Sequence, residues 1–211
     1  MRITKFGHSC LLIEEQSARF LLDPGTFSHN LNEIDGLDAI LITHQHSDHA
    51  DPAAIRRLLE DNEAAVVYTE AETAAMLAKA GIEAKTVRDG EEVDIKGVRV
   101  QVIGEHHAVI ARDIPVIANV GYLIAGRFFY PGDALTMPAA DVEILALPAG
   151  APWMRLEEAM DYLQAIKPKV ALPVHDGIFA QPGLFNGLLA TPAKAVGAKL
   201  RSLDDGKPAD F

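Results

Sequence analysis

Residues 43–51 read THQHSDHAD and follow directly on the apolar run DAILI at 38–42. Imidazole and carboxylate together are the donor set of zinc, manganese and iron sites. Along an extended chain alternate residues project to the same side, so His44 and His46 can grip one ion together. Asp48 and His49 lie beyond them, at the approach to a helix, and face a second position. Helix capping needs a single polar residue there. Asp51, just before Pro52, already serves that purpose, which leaves Asp48 free for other chemistry. Such a strip begins two metal sites and completes neither, so further ligands must come from elsewhere in the chain.

The elements that would carry them read as follows. RITKF, CLLIEE and ARFLLD have the pattern of short strands, and DPG at 23–25 turns the chain after the third. The run 38–42 is a buried strand, and 52–60 is a helix with apolar residues at helical spacing. A strand over 64–69 precedes a helix over 70–81 that Gly81 stops. A strand is expected at 97–103, a hairpin through Gly126 over 118–133, and a strand at 142–148. An amphipathic helix over 155–167 ends at Pro168, and a last strand and turn occupy 169–177. After 178, Pro182, Gly183, Gly187 and Pro192 leave the helical content open. No linker, low-complexity segment or repeat is legible. Strands in runs with helices spaced between them indicate sheets covered by helices. Four of the strands end in histidine or aspartate: THQHSDH, then EHH at 105–107, PGD at 131–133 and HDG at 175–177. Taken singly, PGD and HDG are ordinary turns and a histidine after a strand is ordinary too. HxHxDH is not.

The remaining composition narrows the function classes. At 211 residues, 49% hydrophobic and 23% charged, the chain suits one domain over 1–211 with a sizeable core. The single cysteine, Cys10, excludes an internal disulfide and an all-thiolate site, and reads as buried packing. A net charge of −11 without a basic cluster argues against nucleic acid, although two bound divalent cations would invert the potential locally. No apolar run has the length of a membrane span. MRITKFGHSCLLIEE lacks the features of a signal peptide, so a cytoplasmic location is expected. The expected partner is a small-molecule substrate, with no nucleic acid and no membrane.

THQHSDHAD resembles the HxHxDH signature of the metallo-β-lactamase superfamily. The resemblance covers essentially the whole chain, in the order GHSC, LLDPG, THQHSDHAD, EHHA, YPGD and PVHDG. GHSC, DIPVIANVGYLI and APW are most similar to small metal-dependent hydrolases near the ascorbate-phosphate lactonase branch. The resemblance implies an α/β fold, a four-layer αββα sandwich with its site at one edge between two sheets. It implies a first metal on His44, His46 and a later histidine, a second on Asp48, His49 and His175, and Asp133 bridging both. Side-chain alternation does not choose between His106 and His107. The family-like pattern sets the ligand just before a small residue, here Ala108, which selects His107 and leaves His106 at the rim or behind the ligands. His8 is placed where it could contact substrate, Asp23 where a carboxylate could orient a histidine, and Trp153 where it could line the pocket. His29 reads as solvated loop, and nothing singles out Arg112 or Lys169.

The implied activity is that of a dinuclear metal-dependent hydrolase, with zinc ahead of manganese or iron. Two such ions, about 3.5–4 Å apart, share a water whose pKa falls toward about 7. That hydroxide would cleave an ester-like bond (lactone, thioester or phosphodiester) in a small metabolite, with Asp48 holding the water and carrying its proton. Three rivals stand beside this. Diiron redox relatives replace the second half of the motif with carboxylates and need a flavin domain, whereas here His49 is present. RNA-processing relatives carry an inserted domain for which this chain has no room, though a small phosphodiesterase acting on nucleotides is left. A non-catalytic metal-binding protein would show missing ligands, and all the positions are filled.

Overall fold

Alternating burial along the strands decides the architecture. In strand β3 (Ala18–Leu22), Phe20 and Leu22 belong to one core cluster and Leu21 to another. β2 (Leu11–Glu15) divides in the same way, with Leu11 and Ile13 on one face and Leu12 on the other. So does β4 (Ala39–Leu41), where Ile40 faces away from Ala39 and Leu41. In the second half, Tyr122 and Ile124 of β9 (Gly121–Ile124) and Phe128 and Tyr130 of β10 (Phe128–Tyr130) join the first cluster. Leu123 and Phe129 join a third. Side chains alternate faces with a period of two, so strands apolar on both faces must be covered on both. Two sheets therefore pack against each other, and helices cover their outer faces. This is the expected four-layer sandwich. The computed structural model describes residues 1–203 and 206–211.

The first sheet has the order β14 (Ala209–Asp210), β1 (Arg2–Lys5), β2, β3, β4, β5 (Val66–Thr69), β6 (Lys85–Thr86). The second runs β13 (Lys199–Leu200), β12 (Val170–Val174), β11 (Ile144–Pro148), β10, β9, β8 (Val98–Ile103), β7 (Glu92–Ile95). From β1 to β3 the pairing is antiparallel, and from β3 to β6 parallel. From β8 to β10 it is again antiparallel, and from β10 to β13 parallel. One topology thus occurs twice, a repeat that the sequence does not display. Parallel neighbours need crossovers, and helices supply them. α1 (Pro52–Asp61) and α2 (Ala71–Lys79) lie on the first sheet through Ile55, Leu58 and Leu77. α3 (Leu156–Ile166) and α5 (Ala190–Ala195) lie on the second through Ala159, Leu163 and Ala193. α4 (Pro182–Leu188) precedes α5, so the region left open after 178 is two short helices.

Local chemistry follows the expected signals. The Asp51 side chain caps α1 by accepting from Ala53 N at 3.0 Å. Between β9 and β10, Arg127 N donates to Ile124 O at 3.1 Å and closes a turn with both Ala125 and Gly126 at positive φ, as a type I′ turn requires. Cys10 is fully buried. Strands β6, β7, β13 and β14 were not anticipated. Three are two residues long, and β7 carries two acidic residues, so none shows a full apolar alternation. Among the described residues no helix is long and apolar enough to cross a membrane.

Candidate metal centre

Two groups of ligand-type side chains converge at one edge of the sandwich. His44, His46, His107 and Asp133 form the first, and His8, Asp48, His49 and His175 the second. Within each group the donor atoms lie within 4.8 Å of one another. Asp133 joins the two. Its Oδ1 is 3.2 Å from His49 Nε2, and its Oδ2 is 3.1 Å from His175 Nε2 and 3.4 Å from His107 Nε2. His44 Nε2 and His46 Nδ1 are 3.1 Å apart. Two nitrogens about 2.0–2.1 Å from a tetrahedral zinc would be separated by about 3.3 Å, so the pair fits a shared ion. His49 Nε2, His107 Nε2, His175 Nε2 and Asp133 Oδ1 are buried without a hydrogen-bond partner among the described residues. Buried polar atoms are rarely left so. The donor set and its unmet atoms fit divalent metal.

The opposite edges of the rings show how this is arranged. His107 Nδ1 is 2.6 Å from Ala108 O, His175 Nδ1 is 2.7 Å from Gly150 O, and His49 Nδ1 is 2.7 Å from Asp23 Oδ2. Each of these nitrogens faces an acceptor and keeps its proton there, so Nε2 is the nitrogen left to lend a lone pair to a metal. His44 is held one step further out. Thr43 Oγ1 donates to Asp23 Oδ2 at 2.7 Å and lies 3.0 Å from His44 Nδ1, so it accepts from that ring. Asp23 Oδ1 also accepts from Thr43 N at 2.8 Å. One buried carboxylate thereby orients a histidine of each group. The DPG turn is pressed onto the ligand loop: a Cβ on Gly25 would lie 2.0 Å from Asp48 O and 2.4 Å from His49 N, so only glycine fits. Asp23 and His175 both sit at positive φ (46° and 59°), a strained setting for non-glycine residues that is met at functional sites.

The two groups differ electrostatically. Burial holds His44 well below the usual imidazole range, and the neighbouring His49 adds to this. Burial lowers His46 as well. Burial also opposes a charge on His49, but Asp133 and Asp23 outweigh it and hold the ring well above the usual range. His175 likewise overcomes burial through Asp133 and Asp48 and is pushed up to about 9. Burial works against the charge on Asp133 and Asp48, yet the facing histidines keep both carboxylates low.

Every ligand implied by the sequence resemblance is in the cluster. His107, buried, is the histidine brought in, and His106 is exposed, its backbone bridged to Ala118 outside the cluster. Asp23 lies beneath the cluster, hydrogen-bonded to His49 Nδ1 and Thr43 Oγ1. Trp153 does more than line the pocket: its Nε1 donates to Asp133 Oδ2 at 2.7 Å, and its ring meets His107 edge-on at 5.9 Å. His8 lies against His175 at 4.0 Å between ring centroids. Three supports carry no signature in the sequence: the carbonyls of Ala108 and Gly150 are backbone acceptors, and Thr43 has the look of an ordinary strand-end residue. The centre opens through a cavity of about 220 Å³ lined by His46, Ser47, Asp48, Ile110, Asp133, Pro152, Trp153 and His175.

Known proteins are similar to this chain. A family model described as a beta-lactamase superfamily domain matches residues 2–175. Protein Rv0786c of Mycobacterium tuberculosis is 47% identical over 196 residues, covering 90% of this chain and 91% of that protein. The UPF0173 metal-dependent hydrolase MJ1163 of Methanocaldococcus jannaschii is 26% identical over 227 residues, covering 99% of this chain and 100% of that protein. The structure of Igni18, a metallo hydrolase of the archaeon Ignicoccus hospitalis, superposes with a TM-score of 0.76 at 22% identity and covers 100% of this chain and 98% of its own. With a family model matched along most of its length and the sandwich and histidine cluster in place, the chain belongs to the metallo-β-lactamase superfamily.

Proposed function

We propose that this protein is a metal-dependent hydrolase that works with two divalent ions, zinc first and manganese or iron next. His44, His46 and His107 would hold one, Asp48, His49 and His175 the other, and Asp133 both. The observation that carries this is the convergence of buried Nε2 atoms without hydrogen-bond partners on one carboxylate. The relatives described as metal-dependent hydrolases support the reaction class.

Bound at these positions, the ions would supply a water acidified to near-neutral pKa and Lewis acidity toward the oxygen of the bond under attack. The chain does the rest. Asp48 is the half-buried acid of the set, reachable from the cavity, so it is the residue placed to align a water and carry its proton. Trp153, by donating to Asp133 Oδ2, fixes the shared carboxylate in one rotamer. Ile110, Pro152 and Trp153 give the mouth an apolar wall that excludes bulk water. A cavity of about 220 Å³ takes a small metabolite, and no lysine or arginine is among the described residues lining it. The walls thus offer no side-chain cation for charge carried away from the metals, which favours a lactone or thioester in a small substrate over a nucleotide phosphodiester. A lactone also accords with the ascorbate-phosphate lactonase resemblance, although the wall offers no cation for a phosphate.

The test is metal content with turnover on a panel of lactones, thioesters and phosphodiesters. We expect roughly two ions per chain and hydrolysis that chelation removes and metal restores. Full activity in chain stripped of metal would sink the proposal.

A further inference from the structure

His8 sits inside the second ligand group, but its hydrogen bonds run opposite to those of its neighbours. Its Nδ1 accepts from Gly177 N at 3.1 Å, where His107, His175 and His49 direct Nδ1 at oxygen acceptors. A neutral imidazole has one proton, and a backbone N–H can only donate. Nδ1 of His8 is therefore the bare nitrogen and Nε2 carries the hydrogen. The close approach is built into the fold. A Cβ on Gly177 would lie 3.0 Å from His8 Nδ1 and 3.1 Å from His8 Cβ, and His8 O accepts in turn from His175 N at 3.0 Å. The ring is wedged between Phe27 and His175, with its side chain fully buried. Its Nε2 makes no well-formed hydrogen bond, and the carboxylate oxygen facing it is Asp48 Oδ2, 3.3 Å away. The pair is already within hydrogen-bond reach, and a small rotation of the Asp48 carboxylate would align its oxygen with the N–H. Ligation by Nε2 would instead need the proton on Nδ1, setting two N–H groups against each other across the Gly177 contact.

We infer that His8 is not a metal ligand but a fixed hydrogen-bond donor that holds Asp48 Oδ2 in place. It is a positioning residue for the carboxylate that the second metal position shares with proton transfer. The inference rests on the two-ion reading above. It also separates two histidines at equivalent places in the fold: His107 after β8 binds metal, and His8 after β1 holds a ligand.

The experiment is nitrogen NMR on the full chain with isotope-labelled imidazoles, metal-free and then loaded with a spin-active cadmium isotope. His8 should show a protonated Nε2 and a bare Nδ1 in both states, without coupling to cadmium, while His49 and His175 couple through Nε2. Coupling at His8, or a protonated Nδ1 in either state, would overturn the inference. Should the chain take up only one ion, the two-ion reading fails while the metal-free tautomer still decides the role of His8. Variants give a second readout by metal titration. His8→Phe should keep the wild-type stoichiometry but weaken the second ion by about 10–100-fold, and His8→Gln, which retains a donor, should recover part of that. Loss of an ion in His8→Phe, as expected for His49→Ala, or an unchanged affinity, would each count against it.

Discussion

The two halves of the chain share one order of strands and helices but load their loops differently. After β4 the loop 43–51 delivers His44, His46, Asp48 and His49. After its counterpart β11, the loop 149–153 delivers no ligand; it supplies Gly150 O to His175 and Trp153 Nε1 to Asp133. After β3 stands Asp23 and after β10 stands Asp133, the first beneath the rings and the second among them. The N-terminal half thus contributes a dense local ligand strip, while the C-terminal half closes it with single residues and backbone carbonyls. A strip folded by local contacts can preset part of a site. Neither group is complete until the two sheets have packed, because each takes residues from both halves.

Removing the residue on which both halves converge gives the largest expected effect. Asp133→Ala takes away a donor from both positions. Metal content should fall below that of the parent, and kcat/KM should drop by roughly 10³-fold or more, the scale of several kcal/mol of lost charge stabilisation. Metal analysis and steady-state kinetics on the same preparation check this. An Asp133→Ala protein with parental metal content would break the picture of a shared carboxylate.

The hub beneath comes next. Asp23→Asn still fills the space but no longer receives both His49 Nδ1 and Thr43 Oγ1 as an anion. Loss of such an orienting partner typically weakens metal binding by about 10–100-fold, and here both ions should weaken. Trp153→Phe is the matching change in the other half. It deletes one hydrogen bond to Asp133 and keeps the ring against His107, so about a tenfold loss of kcat/KM is expected, with metal stoichiometry retained. Competition titrations separate the cases, and the comparison fails if Asp23→Asn weakens one ion alone.

The asymmetry also explains what the sequence discloses. HxHxDH is legible because four ligands share nine residues and their types exceed anything capping requires. His107, Asp133 and His175 each stand alone at a strand end, so residue type and spacing nominate them weakly and only the family pattern joins them. The sandwich is legible where strands carry three or more apolar residues in a row, LLI in β2, FLL in β3 and ILAL in β11. It is not legible in two-residue strands such as β6 and β13, whose pairing is set by neighbours and not by their own side chains. Thr43 reads as an ordinary strand-end residue until the Asp23 carboxylate is seen beneath it. The repeat of topology leaves no sequence trace, since the two halves spend the same positions on different chemistry.

The smallest expected effect concerns protons. Without metal, His49 and His175 answer the charges of Asp133 and Asp48, and both are held above their ordinary range. A group raised by folding adds stability below its unfolded pKa and loses it as pH rises through the folded value. For His175 that window runs from 6.5 to about 9. The metal-free chain should therefore lose a few degrees of Tm between about pH 7 and 9.5, where about 1 kcal/mol corresponds to roughly 2–4 °C in a chain of this size. Metal requires both rings neutral, so filling the second position at pH 7 should release about two protons. The first position, whose His44 and His46 are already held neutral by burial, should release almost none. Calorimetric titration in buffers of different ionisation enthalpy counts these protons. Equal release from both positions would erase the electrostatic distinction between the two ligand groups.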